Sequence, residues 1–102
     1  MEHVSVENRG PVRAILMRRA KANALNAVMI GELRSAIGEA LADSSVRGVA
    51  LGSACPRFFS SGFDAGEVFA FDRAAMRDFF ARFTDLYESI ALSPKPVVAA
   101  IS

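Results

Sequence analysis

Val46-Arg-Gly-Val-Ala-Leu51 is a short apolar run that closes a strand–helix–strand unit, and that unit decides the fold. Ahead of it, residues 27–42 place Ile30, Leu33, Ile37 and Leu41 three and four apart, which is one face of a helix. Asn26 suits the N-cap, because its side chain accepts from an orphan N–H of the first turn. Asp43-Ser-Ser45 ends the helix, and Val12 to Met17 reads as the strand before it. Strand, helix and strand within about 40 residues is the size of a parallel crossover.

Toward the amino terminus, His3 to Arg9 alternates apolar and polar residues, the pattern of a half-buried strand. Gly10-Pro11 is a turn signal, so this strand and Val12–Met17 are expected to form an antiparallel hairpin. Residues 18–26 follow neither period and read as a loop. In the other direction, Gly52 to Gly62 reads as a loop and Asp64 to Phe69 as one helical turn or two. Arg73 to Ala91 is the strongest helix, with Asp72 as its cap and Met76, Phe80, Phe83, Tyr87 and Ile90 as its apolar face. Ser93-Pro-Lys-Pro96 breaks it. Val97 to Ile101 is continuously apolar, which predicts a strand covered on both faces. A strand that looks central, one residue before the last, leads to the expectation that residues 1–102 are the front part of one larger α/β domain.

Composition narrows the function. Of 102 residues, 52% are apolar and 23% charged, a balance that builds a core rather than a disordered chain. Twelve basic against eleven acidic residues give a net charge of +1, which argues against nucleic acid as a partner. Cys55 is the lone cysteine and His3 the lone histidine, so there is no disulfide framework, no Cys-based or His-rich metal site, and no Ser-His-Asp triad except one built on the terminal His3. Residues 1–21 are too rich in arginine for a secretory signal, and the apolar run at 96–101 is far too short to span a bilayer. The expectation is a cytoplasmic protein without membrane contact.

Three places could carry chemistry. Phe58-Phe-Ser-Ser-Gly62-Phe63-Asp64 lies between a strand and a helix start, where unpaired N–H groups can hold an anion or a developing oxyanion. Gly62 permits an unusual backbone angle there; the plainer reading is a turn and an N-cap. Arg18, Arg19 and Lys21 could meet phosphates, or simply be solvated. Asp64, Glu67 and Asp72 form an acidic set; Asp64 and Glu67 could act as an acid–base pair, or complement a helix dipole. Ser60 and Ser61 have no histidine to activate them as nucleophiles.

In order and spacing, these residues resemble the N-terminal part of the crotonase (enoyl-CoA hydratase/isomerase) superfamily. Lys21-Ala-Asn-Ala-Leu-Asn26, with Met29, Glu32 and Leu33, is similar to that family's first CoA-binding loop and helix. Arg47-Gly-Val-Ala-Leu51 through Phe59-Ser-Ser-Gly62-Phe63-Asp64 is similar to its strand and "F-x-A-G-x-D" loop, and Lys95-Pro-Val-Val-Ala-Ala-Ile101 to its "K-P-V-I-A-A-V" strand. The resemblance implies an α/β fold made of the opening ββα units of a crotonase-type spiral. It implies an acyl-CoA thioester as partner, with coenzyme A as part of the substrate and no separate cofactor or metal. It implies the Phe63 N–H as one oxyanion donor, and Lys21, Ala22, Ala24, Ser61, Gly62 and Asp64 along the substrate. For a complete domain it also implies a homo-oligomer, trimer or hexamer.

Some positions depart from the family pattern. Ala20 stands where proline is usual, Ser61 where alanine is usual, and Gly66 where lysine is frequent. The second oxyanion donor and the acid–base carboxylates of the family lie after the "A-A-V/I" strand. The 102 residues alone are therefore expected to lack hydratase or isomerase turnover. The alternative is a small non-catalytic α/β interaction module. A nucleotide-binding crossover is disfavoured, since no G-x-G-x-x-G or G-x-x-x-x-G-K-[ST] occurs.

Overall fold

Gly10, at φ +63°, turns strand β1 (Val4–Arg9) into β2 (Val12–Met17), and the two pair antiparallel with Val4 opposite Met17. This hairpin begins a computed structural model that describes residues 1–20, 23–55 and 59–100. The chain then forms helix α1 (Ala27–Ala42), β3 (Gly48–Ser53), the short α2 (Ala65–Val68), α3 (Arg73–Ala91) and β4 (Val97–Ala99). The four strands lie side by side in the order of the chain, and β2–β3 and β3–β4 are parallel. Parallel neighbours need a crossover, and α1 supplies the first. The α/β class and the hairpin-plus-crossover organisation expected from the sequence are present.

The core lies between α1 and one face of the sheet. Val4, Ile15, Met17 and Val49 point to this side and join Met29, Ile30, Leu33, Ala36, Ile37 and Ala40 of α1 in one buried cluster. Asn26 caps α1 through its Oδ1, which accepts from the Met29 N–H at 2.8 Å. At the other end, Lys95 Nζ donates to the carbonyls of Ala40 (3.0 Å) and Asp43 (2.7 Å). That places a cation where the dipole and the unpaired carbonyls favour one.

Two expectations are corrected. β3 spans Gly48–Ser53 rather than 46–51. Val46 is buried but belongs to the turn, its N–H donating to Asp43 C=O, while Gly52 and Ser53 continue the ladder opposite Leu16 and Met17. In α3 the buried residues are Phe79 and Leu86, with Phe83 and Ile90 packed beside them; Phe80 and Tyr87 lie outside this core and are exposed. The helix has apolar residues on two overlapping rows, and only one row can meet α1, its main partner. Among the described residues β4 forms the sheet edge, and Val98 is 60% exposed. Ile101 and Ser102 lie outside the described residues.

Candidate functional site

β2 and β3 end side by side at Met17 and Ser53, and the chain leaves both into loops. Loops at the carboxyl ends of parallel strands are where α/β proteins bind ligands. Asn23 stitches the two loops together. It is fully buried and has φ +54°, a left-handed conformation that asparagine tolerates better than most residues. Its Nδ2 donates to Ser53 Oγ (2.7 Å) and to Phe59 C=O (2.8 Å). Its Oδ1 accepts from the Arg19 N–H at 2.7 Å, and its own carbonyl accepts from Ser60 Oγ at 2.8 Å. A buried carboxamide with all these partners stabilises one loop arrangement; unpartnered, it would destabilise it.

Arg19 adds a second clasp. Its Nη1 lies 2.8 Å from Asp64 Oδ2 and also donates to Ala24 C=O at 2.8 Å. Both charged side chains are only 13% exposed. Arg19, read from the sequence as a cation for phosphates, is therefore committed to Asp64. Arg18 is exposed, with one Nη2 contact to Met1 C=O at 3.1 Å. Lys21 and Ala22 lie outside the described residues.

The acidic pair proves structural. Asp64 is the N-cap of α2, accepting from the Glu67 N–H at 3.3 Å in addition to pairing with Arg19. Glu67 Oε1 accepts from the Ala27 N–H at 2.8 Å, placing a carboxylate at the start of α1. Asp72 caps α3 by accepting from the Ala75 N–H at 2.7 Å.

Phe63 sits where these clasps converge. Leu25 N–H donates to Gly62 C=O (2.7 Å), and Asp64 N–H donates to Leu25 C=O (2.8 Å), a single parallel bridge outside the main sheet. The Gly62–Phe63 peptide is trans, so its N–H lies opposite the carbonyl that Leu25 holds and points away from Leu25. Gly62 N–H donates to Ser60 Oγ at 3.1 Å. The amides on both sides of Phe63 are thus occupied, and among the described residues the Phe63 N–H has no hydrogen-bond acceptor. Gly62 has φ +95°, with open space where a Cβ would stand, so its requirement for glycine comes from the backbone angle.

The Phe63 ring is held as well. It meets Phe79, Phe80 and Phe83 of α3 edge-on, at centroid distances of 5.5, 5.5 and 4.9 Å. Such pairs add about 0.5–1.5 kcal/mol each beyond area burial. The sequence offered Phe63 as a backbone donor and the α3 aromatics as a separate stripe; the structure joins them. Of the other candidates, Ala24 is buried, and Ser61 and Gly62 are exposed next to Phe63. Sequence reasoning gave Asn23 and Leu25 no role of their own and set the Ser60 hydroxyl aside as an unactivated nucleophile. The available signal was an asparagine between alanines in a loop, since a polar residue drawn into small apolar neighbours must find partners. The groove between α1 and α3, lined by Ile30, Arg34, Arg82 and Asp85, shares no residue with these loops, and its arginines pair with Asp85 and Asp78. Among the described residues no helix is long and apolar enough to cross a membrane.

Comparison with known proteins bears on the fold. The chain is 32% identical, over all of its length, to the Short-chain-enoyl-CoA hydratase of Clostridium acetobutylicum, and covers 40% of that protein. It is 29% identical over 99% of its length to the mouse protein Enoyl-CoA delta isomerase 1, mitochondrial, covering 36% of it. The crystal structure of enoyl-CoA hydratase from Thermoplasma volcanium superposes on the whole chain with a TM-score of 0.92 at 26% identity, and 41% of that structure is covered. The chain thus spans about 40% of the length of these relatives and carries the corresponding part of the crotonase fold. The Enoyl-CoA hydratase/isomerase family model matches residues 7–102, and this chain belongs to that family.

Proposed function

We propose that this chain forms one wall of an acyl-CoA thioester site and supplies one backbone donor of an oxyanion hole. The Phe63 N–H would hold the thioester oxygen as it becomes an enolate oxygen. The observation that carries the reading is the isolation of that N–H between two occupied amides, Gly62 on Ser60 Oγ and Asp64 on Leu25 C=O. A donor whose direction is set before the ligand arrives stabilises developing charge without reorganising. Ser61 and Gly62, exposed beside it, would face the thioester, and Lys21, Ala22 and Ala24 would follow the CoA chain. The substrate includes coenzyme A, and the reading requires no further cofactor.

The proton-handling groups are proposed to lie outside residues 1–102. Asp64 is engaged by Arg19 and the start of α2, and Glu67 by the Ala27 N–H, so neither carboxylate is placed for proton transfer. Hydration needs a water handled by acid and base; isomerisation needs one base moving a proton. This wall serves either reaction, and the relatives' names include both kinds. Oligomeric assembly and a cytoplasmic location are part of the same proposal.

Acetoacetyl-CoA is a direct probe, because its acidic α-carbon ionises to an enolate with its own ultraviolet absorbance. The chain is expected to bind it and raise the enolate fraction above that in buffer. Phe63→Pro removes the N–H and should lower enolate binding on the order of 10²-fold, the scale of one oxyanion donor. Phe63→Ala keeps the N–H and should cost much less. Equal losses in the two variants, at equal melting temperature, would refute the backbone donor.

A further inference from the structure

The proposed donor sits next to a hinge. Gly62, at φ +95°, is the residue with the most rotational freedom in this loop, and its carbonyl shares a peptide plane with the Phe63 N–H. Leu25 holds that plane from one side through the Gly62 carbonyl at 2.7 Å. The plane before the glycine has a different anchor. Ser60 Oγ accepts from the Gly62 N–H at 3.1 Å while donating its own proton to the Asn23 carbonyl at 2.8 Å. One half-buried hydroxyl therefore links the hinge to the fully buried, left-handed Asn23 of the other loop.

We propose that the Ser60 hydroxyl is a positioning group: it fixes the glycine hinge from the Asn23 carbonyl and so sets the direction of the Phe63 N–H. The inference rests on the oxyanion reading above. The chemistry fits a serine, since a hydroxyl is the smallest side chain that donates and accepts at once. Alanine would leave the Gly62 N–H and the Asn23 carbonyl each short of a partner. Threonine keeps the relay. Ser60 thus has a use that requires no activating base.

Two readouts test this in the chain, with Ser60→Ala and Ser60→Thr. The first needs no ligand: hydrogen exchange at the Gly62 amide, followed by NMR, should accelerate about 3- to 10-fold in Ser60→Ala, the scale of one hydrogen bond, and return in Ser60→Thr. The second uses acetoacetyl-CoA against free CoA. Ser60→Ala should lower enolate binding about 3- to 10-fold while leaving CoA affinity unchanged, and Ser60→Thr should restore it. Unchanged Gly62 exchange in Ser60→Ala would overturn the relay. Faster exchange with wild-type enolate binding would overturn positioning alone and leave the oxyanion reading standing. A wild-type chain that stabilises no enolate would overturn both.

Discussion

At the carboxyl ends of β2 and β3, polar side chains and amides find partners across two loops: Asn23 on Ser53 and Phe59, Arg19 on Asp64 and Ala24, Leu25 on Gly62 and Asp64. At the β4 edge the surface is apolar and open, with Val98 60% exposed and Val12, on the same side of the sheet, 38% exposed. The first region is held by directional bonds that specify one geometry. The second is held by three ladder positions against β3 and by the Lys95 contacts to α1. The directional bonds are concentrated around the proposed donor, as the preorganisation of the proposed site requires.

The comparison breaks most readily at the Arg19–Asp64 pair. Asp64→Ala leaves a nearly buried guanidinium without its carboxylate and removes the cap of α2. It should destabilise the chain by about 3 kcal/mol or more, read as a lower denaturation midpoint. A loss below about 1 kcal/mol, the scale of an exposed pair, would mean that the loop clasp is no stronger than the surface.

A smaller effect separates the loops from the far end of α1. Hydrogen bonds from the Ser45 hydroxyl and N–H, assisted by Arg13 at 2.9 Å, hold the Asp43 carboxyl below its ordinary pKa. A depressed carboxylate pKa contributes stability that is complete above the unfolded-state value and is lost as pH falls through the folded one. Asp43→Asn should therefore lower the melting temperature modestly at neutral pH and flatten the acid limb, so that the two profiles converge below about pH 4. An unchanged acid limb would assign that limb to other carboxylates.

The smallest effect on stability is expected at the open edge. Residues 1–102 should self-associate through β4 and the apolar outer face, because an exposed edge strand is a template for pairing. Val98→Lys should shift sedimentation toward monomer while changing stability within about 0.5 kcal/mol. Association unaffected by Val98→Lys would place the contact elsewhere.

How much of this was legible follows the range of each interaction. α1 and its Asn26 cap, the hairpin and the limits of α3 were readable because periodicity and capping act over a few residues. The buried row of α3 was misread because Phe79 and Phe80 are both apolar, and only the position of α1 chooses between them. At the site, Gly62 stood out by turn chemistry and Phe63 through the family resemblance. Asn23 did not, and Arg19 was read as a cation for phosphates, since their partners lie 30 to 45 positions away in the other loop, joined only by folding.

Lys95 holds the last strand to the first helix through two acceptors that are main-chain carbonyls. Only one side of that fastening is open to genetic change. Replacing Ala40 or Asp43 alters a side chain but leaves the carbonyl, so the tie outlasts sequence drift at the helix end. The ammonium has no such protection: substitution by a shorter residue removes both bonds in one event. The seam between β4 and α1 is therefore tolerant on its helical side and fragile at a single amine.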